Sequence, residues 1–140
     1  MKLKWIILLL PILMLFSCNG ETTNSNTTND VEFKFQVIAN VDYYNGNKNY
    51  VMYDEENGYY ADVNLGTNFY IPFRYSPLNY PNRDIEFYIE DETICRMDTS
   101  NIGRVNTLKR GVTTVSIEPT YFPDYRVDIR VRVLWEKLKA

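Results

Sequence analysis

Apolar and polar residues alternate along most of the chain after residue 30, as they do in strands that bury one face. The clearest run places Val127, Ile129, Val131 and Val133 on one side, with charged residues between them. The same period recurs at 33–37, 69–75, 85–89 and 113–117. Turn-forming pairs such as Asn45-Gly46 and Asn57-Gly58 separate the runs, and no stretch has a clear helical period. The pattern predicts one all-β domain over residues 31–140, folded as a β-sandwich.

The first thirty residues follow a different pattern. Lys2 and Lys4 precede an apolar run, Trp5 to Phe16, of only 12 residues. That run is too short to span a bilayer and is typical of the apolar core of a signal peptide. It ends at Leu15-Phe16-Ser17-Cys18, which resembles the lipobox of bacterial lipoproteins. We therefore predict a lipoprotein signal peptide over residues 1–17; an ordinary secretory signal followed by a chance cysteine is the alternative.

The lipobox resemblance implies that the chain is cleaved before Cys18 and that lipid is attached to the Cys18 sulfur. The protein would then be exported and held at a membrane by its acyl chains. Residues 18–30 are rich in Asn and Thr, a composition that predicts a flexible tether. Asn19 differs from the aspartate that marks inner-membrane retention in enteric lipoproteins. The resemblance thus favours the outer membrane or cell surface where two membranes are present.

Residues 63–134 contain a series of short motifs in a characteristic order. They are Gly66 before a strand ending at Ser76-Pro77, Phe87 as a core aromatic, Ile94-Cys95-Arg96-Met97, Gly103-Arg104-Val105, Leu108 to Gly111, Val112 to Ile117, and Arg126 to Val133. This series resembles the group 2 bacterial immunoglobulin-like domains. The resemblance implies an immunoglobulin-like β-sandwich with Cys95 at a buried small position. Residues 41–62 look like an insertion after a first strand at 32–39. We expect the function that distinguishes this protein from others with such a domain to lie in this insertion.

Composition excludes several function classes. Without Lys2 and Lys4, the chain has 13 basic and 18 acidic residues, a net charge of −5, which argues against a nucleic-acid partner. Histidine is absent, which removes histidine-based catalysis and metal binding. The acidic runs at 54–56 and 90–92 are expected to be solvated turns, with weak calcium sites as the alternative. We predict no enzyme activity, no catalytic residue, no metal and no cofactor, and rank an unrecognised hydrolase last.

The stretch at 41–62 is dense in tyrosine, a residue that is enriched at binding surfaces. The candidate binding patch comprises Tyr43, Tyr44, Tyr50, Tyr53, Tyr59 and Tyr60. A second interpretation is a twisted hairpin, turning at 54–58, whose rings cover the sheet. Adjacent tyrosines point to opposite faces of a strand, so at most half of them share one patch.

These observations lead to two hypotheses about function. In the first, the domain is a non-catalytic binding or adhesion module that recognises an envelope protein or glycan. In the second, it is a structural accessory subunit whose exposed sheet edge docks onto an envelope or transport assembly.

Overall fold

Strands make up most of residues 32–135, the part of the chain that the computed structural model describes. The described strands are β1 Lys34–Val37, β2 Tyr43–Tyr44, β3 Asn47–Lys48, β4 Val51–Asp54, β5 Gly58–Asn64, β6 Asn68–Tyr70, β7 Phe73–Ser76, β8 Ile85–Ile89, β9 Cys95–Met97, β10 Arg104–Thr107, β11 Gly111–Pro119 and β12 Val127–Leu134. The described region contains one 3₁₀ helix, Pro123–Tyr125, and no α-helix. The all-β prediction is confirmed. The predicted signal peptide, Cys18 and the tether lie outside the described residues.

The larger layer is a five-stranded sheet in the order β4-β5-β12-β11-β8. Strand β12 lies at its centre and pairs antiparallel with β11 and parallel with β5. The predicted alternation in this strand is confirmed, because Ile129, Val131 and Val133 are buried and the arginines between them are exposed. One face of this sheet therefore belongs to the core and the other is solvated.

The opposing layer is built from shorter strands in the orders β6-β10-β9 and β1-β7. Residues 69–75, predicted as one alternating run, form two strands interrupted at Ile71 and Pro72. Proline has no backbone N–H to continue a ladder. After the interruption the chain changes partner, since β6 pairs with β10 and β7 pairs with β1.

The core lies between the two layers. Its buried side chains include Val37, Phe69, Cys95 and Val105 from the shorter strands, Ile71 from the interruption between β6 and β7, and Val63, Val115, Ile117, Ile129 and Val131 from the five-stranded sheet. Both layers contribute branched and aromatic residues that suit a pleated surface. The domain is thus a β-sandwich, as the strand pattern predicts.

An aromatic cluster fixes the beginning of the domain. Phe33 is buried and stacks on Phe122 with 4.2 Å between ring centroids. The Tyr125 hydroxyl donates a hydrogen bond of 2.9 Å to the Phe33 carbonyl oxygen. These contacts connect the first strand with the loop that precedes β12, so the position where the chain enters the sandwich is well defined.

Strand β8 departs from the expected burial pattern. The alternation of Ile85, Phe87 and Ile89 predicts three core side chains, and all three are only half-buried. The reason is their position in an edge strand, where neighbours cover the side chains from one direction only.

Candidate functional site

A groove lies beside the β2–β3 hairpin. It has a volume of about 260 Å³. Its lining residues are Tyr44, Asn45, Asn47, Lys48 and Asn49 from the hairpin region, and Tyr70, Ile71, Pro72, Phe73, Ile102 and Gly103 from the sheet side. The lining combines aromatic rings with neutral amides, and Lys48 is its one charged residue. We call this site the hairpin groove.

The hairpin wall follows from local sequence. Asn45 and Gly46 both have positive φ angles, 49° and 79°. A two-residue type I′ hairpin turn requires a positive φ at both central positions, and the Asn-Gly pair adopts these angles readily. Strands β2 and β3 pair in register around that turn. The Asn49 N–H donates to the Asp42 carbonyl at 2.9 Å and closes the base of the hairpin. The turn therefore holds Tyr44 and Asn47 opposite each other on the groove wall.

The opposite wall forms where β6 gives way to β7. The Ile71 N–H donates to the Gly103 carbonyl at 3.2 Å, which keeps the loop before β10 against the strand interruption. Ile102, the neighbouring residue, is 84% exposed on the rim of the groove. The result is a shallow site with an apolar rim, aromatic sides and polar amides.

The six predicted tyrosines do not form one continuous patch. Tyr44 lines the hairpin groove, while Tyr43 is 68% exposed on the adjacent position of β2. Tyr50 packs against Phe69, with 6.0 Å between ring centroids. Tyr53 and Tyr59 are paired across β4 and β5, with their ring centroids 4.8 Å apart.

Tyr60 lies on the solvated face of the five-stranded sheet, opposite in direction to Tyr59. The Arg130 guanidinium lies 5.8 Å from its ring centroid, a cation–π arrangement. On the same face Arg132 forms two hydrogen bonds with the Asp62 carboxylate, at 3.1 and 2.7 Å. These paired groups cover the part of the face around Tyr60.

The acidic runs lie in or beside solvated turns, as predicted, and two of their carboxylates accept hydrogen bonds within those turns. Asn57 donates to the Asp54 carboxylate from both its side chain and its backbone, and these bonds lower the pKa of Asp54. The Thr93 hydroxyl and N–H do the same for Asp91 and lower its pKa. A general acid needs a raised pKa instead. Within residues 32–135, no group of three or more acidic or cysteine residues is arranged to hold a metal ion.

Cys95 occupies a fully buried position in β9, which confirms the sequence prediction of a buried small residue. Burial raises the pKa of the Cys95 thiol to about 11. The reactive species is the thiolate, so this cysteine is expected to be inert.

Thiol labelling tests that expectation. In the Cys18→Ser variant, where Cys95 is the one remaining cysteine, we expect native protein at pH 8 to react with a thiol reagent about 100-fold more slowly than urea-unfolded protein. Equal rates in the two states would contradict the buried placement.

Of the six predicted tyrosines, only Tyr44 lines the groove, and the sheet-side wall was not predicted. The tyrosine stretch identified Tyr44, whereas Tyr70, Pro72 and Ile102 come from segments interpreted as strand and turn. An isolated apolar residue, Ile102, in the otherwise polar turn 101–103 was the available signal.

No protein-family model matches the chain, and no curated protein matches it. Among residues 32–135, no helix is long and apolar enough to cross a membrane.

Proposed function

We propose that the chain is a non-catalytic lipoprotein of the bacterial cell envelope, and that its immunoglobulin-like domain binds glycan in the hairpin groove. The observation that carries the proposal is the lining of this groove, in which two tyrosine rings accompany exposed amides. Lipid on Cys18 would tether the domain at the outer membrane or cell surface, where such ligands are displayed.

The chemistry of the groove favours a sugar over an ionic ligand. A sugar ring has an apolar C–H face that stacks on an aromatic side chain, and hydroxyls that exchange hydrogen bonds with amides. Tyr44 and Tyr70 offer the rings, and Asn45 and Asn47 offer exposed amide groups. Small-ligand sites typically combine apolar walls with a few polar groups in this way.

The immunoglobulin-like assignment is supported by agreement between the motif series and the strands. The apolar-small-x-apolar motif at 94–97 coincides with β9, and the Gly-x-Val turn leads into β10. The motifs at 112–117 and 126–133 overlap β11 and β12. Because folds host many functions, this assignment says nothing by itself about the ligand.

A glycan array carrying bacterial peptidoglycan fragments and surface polysaccharides tests the proposal. We expect the wild-type domain to bind a subset of these glycans, and the Tyr44→Ala and Asn47→Ala variants to bind at least about tenfold more weakly, the loss expected when a central aromatic or amide contact is removed. Tyr60→Ala, a tyrosine exchange on the solvated sheet face, is the matched control and should bind normally.

Two outcomes count against the glycan proposal. One is the absence of binding to every glycan by a domain that circular dichroism shows to be folded. The other is an equal loss of binding in Tyr44→Ala and Tyr60→Ala, which would indicate that the groove has no special role.

A structural accessory role in an envelope assembly is the second candidate function. The observation that favours it is the position of β8 at an edge of the five-stranded sheet, where a partner strand has access.

A further inference from the structure

The two edges of the five-stranded sheet differ in how their backbone groups are paired. On the β4 edge, Asn40 donates its side-chain amide to the Tyr53 carbonyl at 3.0 Å and accepts from the Tyr53 N–H at 2.9 Å. The Val51 N–H donates to the Asn49 side-chain oxygen, and the Val51 carbonyl accepts from the Asn40 N–H. Two asparagines thus seal this edge against further strands.

The β8 edge has no such cover. The Glu90 N–H donates to the Thr114 carbonyl at 3.0 Å, and the Thr120 N–H donates to the Asp84 carbonyl at 2.8 Å. Because bonding positions alternate in an antiparallel ladder, every even-numbered residue from 84 to 90 faces β11. The N–H and C=O groups of Ile85, Phe87 and Ile89 therefore point away from β11. Within residues 32–135, β8 pairs with β11 alone, and these six groups make no other backbone hydrogen bond.

Side chains on the same strand are also incompletely covered. Ile85, Phe87 and Ile89 are half-buried on the core side. Phe87 contacts Phe73 of the opposite layer, with 6.3 Å between ring centroids, but is not enclosed. An additional strand beside β8 would pair the six backbone groups and bring its own apolar residues against these three side chains.

The charged residues along β8 indicate which kind of partner strand can pair with it. Asp84, Glu86 and Glu90 are exposed on the solvated face of β8. In an antiparallel pair of two copies with Phe87 opposite Phe87, the Asp84 of each copy would lie opposite the Glu90 of the other. Like charges in opposed positions are destabilising. A strand with lysine or arginine at those positions would instead form opposite-charge pairs.

We propose that β8 binds an extended segment of a partner protein as an added antiparallel strand, in which apolar residues alternate with lysine or arginine. The apolar residues of that segment lie beside Ile85, Phe87 and Ile89, and its cations lie beside the carboxylates. This inference rests on the accessory-subunit function and is independent of glycan binding in the hairpin groove.

Amide hydrogen exchange with a synthetic peptide tests the proposal. The probe is a nine-residue peptide alternating valine and lysine, added to the full chain without its signal peptide. We expect the N–H groups of Ile85, Phe87 and Ile89 to exchange rapidly in the free protein and to become protected when the peptide is added. A second peptide, with glutamate at each lysine position, should give no protection.

Charge reversal separates strand addition from non-specific adhesion. The double variant Asp84→Lys, Glu90→Lys should bind the lysine peptide about tenfold more weakly and should prefer the glutamate peptide, since it turns two opposite-charge pairs across the strands into like-charge pairs. The control Glu55→Lys, Glu56→Lys makes the same charge change in the exposed turn beside the sealed edge and should leave peptide affinity unchanged.

Three results would overturn the proposal. The first is protection of the three amides in the free monomer, which would mean that another part of this chain covers the edge. The second is protection that appears together with a dimer in analytical ultracentrifugation, which would identify a second copy as the occupant. The third is lack of protection at millimolar peptide. A folded domain that still binds glycan in this last case would leave the groove proposal standing.

Discussion

Replacing Ile129 with alanine is expected to destabilise the domain by about 2–5 kcal/mol, the range seen when a large buried aliphatic side chain is truncated. Ile129 is fully buried and lies in β12, the central strand of the five-stranded sheet. It belongs to the core cluster that both layers build, and a well-packed core collapses only partly into the space left by a truncated side chain. Urea unfolding followed by tryptophan fluorescence or circular dichroism measures the effect.

Two further variants serve as controls for the stability loss expected in Ile129→Ala. Ile129→Val removes one methylene and should cost about 0.5–1.5 kcal/mol. Val112→Ala, in the neighbouring strand β11, removes an exposed side chain and should change stability by less than about 0.5 kcal/mol. Equal effects at Ile129 and Val112 would mean that β12 is not the centre of the core.

Replacing Cys18 with serine is expected to move the protein from the membrane fraction to the soluble fraction and to abolish incorporation of labelled fatty acid. Each buried methylene contributes about 0.8 kcal/mol to membrane binding, so two or three acyl chains account for nearly all of the anchorage. Cell fractionation and metabolic labelling with palmitate are the measurements.

Cys95→Ala is the matched control, because it removes the other cysteine of the chain. That variant should remain in the membrane fraction and carry label. If Cys18→Ser protein were still labelled and sedimented with membranes, the lipobox interpretation would be wrong.

The strand pattern predicted the fold well where burial is one-sided. In β12 and β11 the apolar positions Ile129, Val131, Val133, Val115 and Ile117 are buried as expected, since these strands lie inside the sheet. The exception on the polar face is Ser116, which is buried and hydrogen-bonds to Asp128. The prediction was less accurate at edges and interruptions. Pro72 divides a run whose hydrophobic period is continuous, and the half-burial of β8 depends on what lies beside it, which local sequence does not encode.

The candidate site was harder to predict for a related reason. Tyrosine density drew attention to residues 43–60, but the direction of each ring depends on strand register and on partners far along the chain. Tyr60 lies against Arg130, and Tyr50 against Phe69. The amide seal that Asn40 places on β4 depends on a positive φ angle of 61° at a loop residue, and no sequence period predicts it.

Nuclear magnetic resonance mapping of the ¹⁵N-labelled domain is the most direct measurement of glycan recognition in the hairpin groove. Soluble peptidoglycan and polysaccharide fragments would be titrated into residues 19–140. We expect shift changes at residues 44–49, 70–73 and 102–103, with the solvated face around Tyr60 and Arg130 unchanged. Shifts confined to that face, or an unchanged spectrum with every fragment, would contradict the glycan proposal.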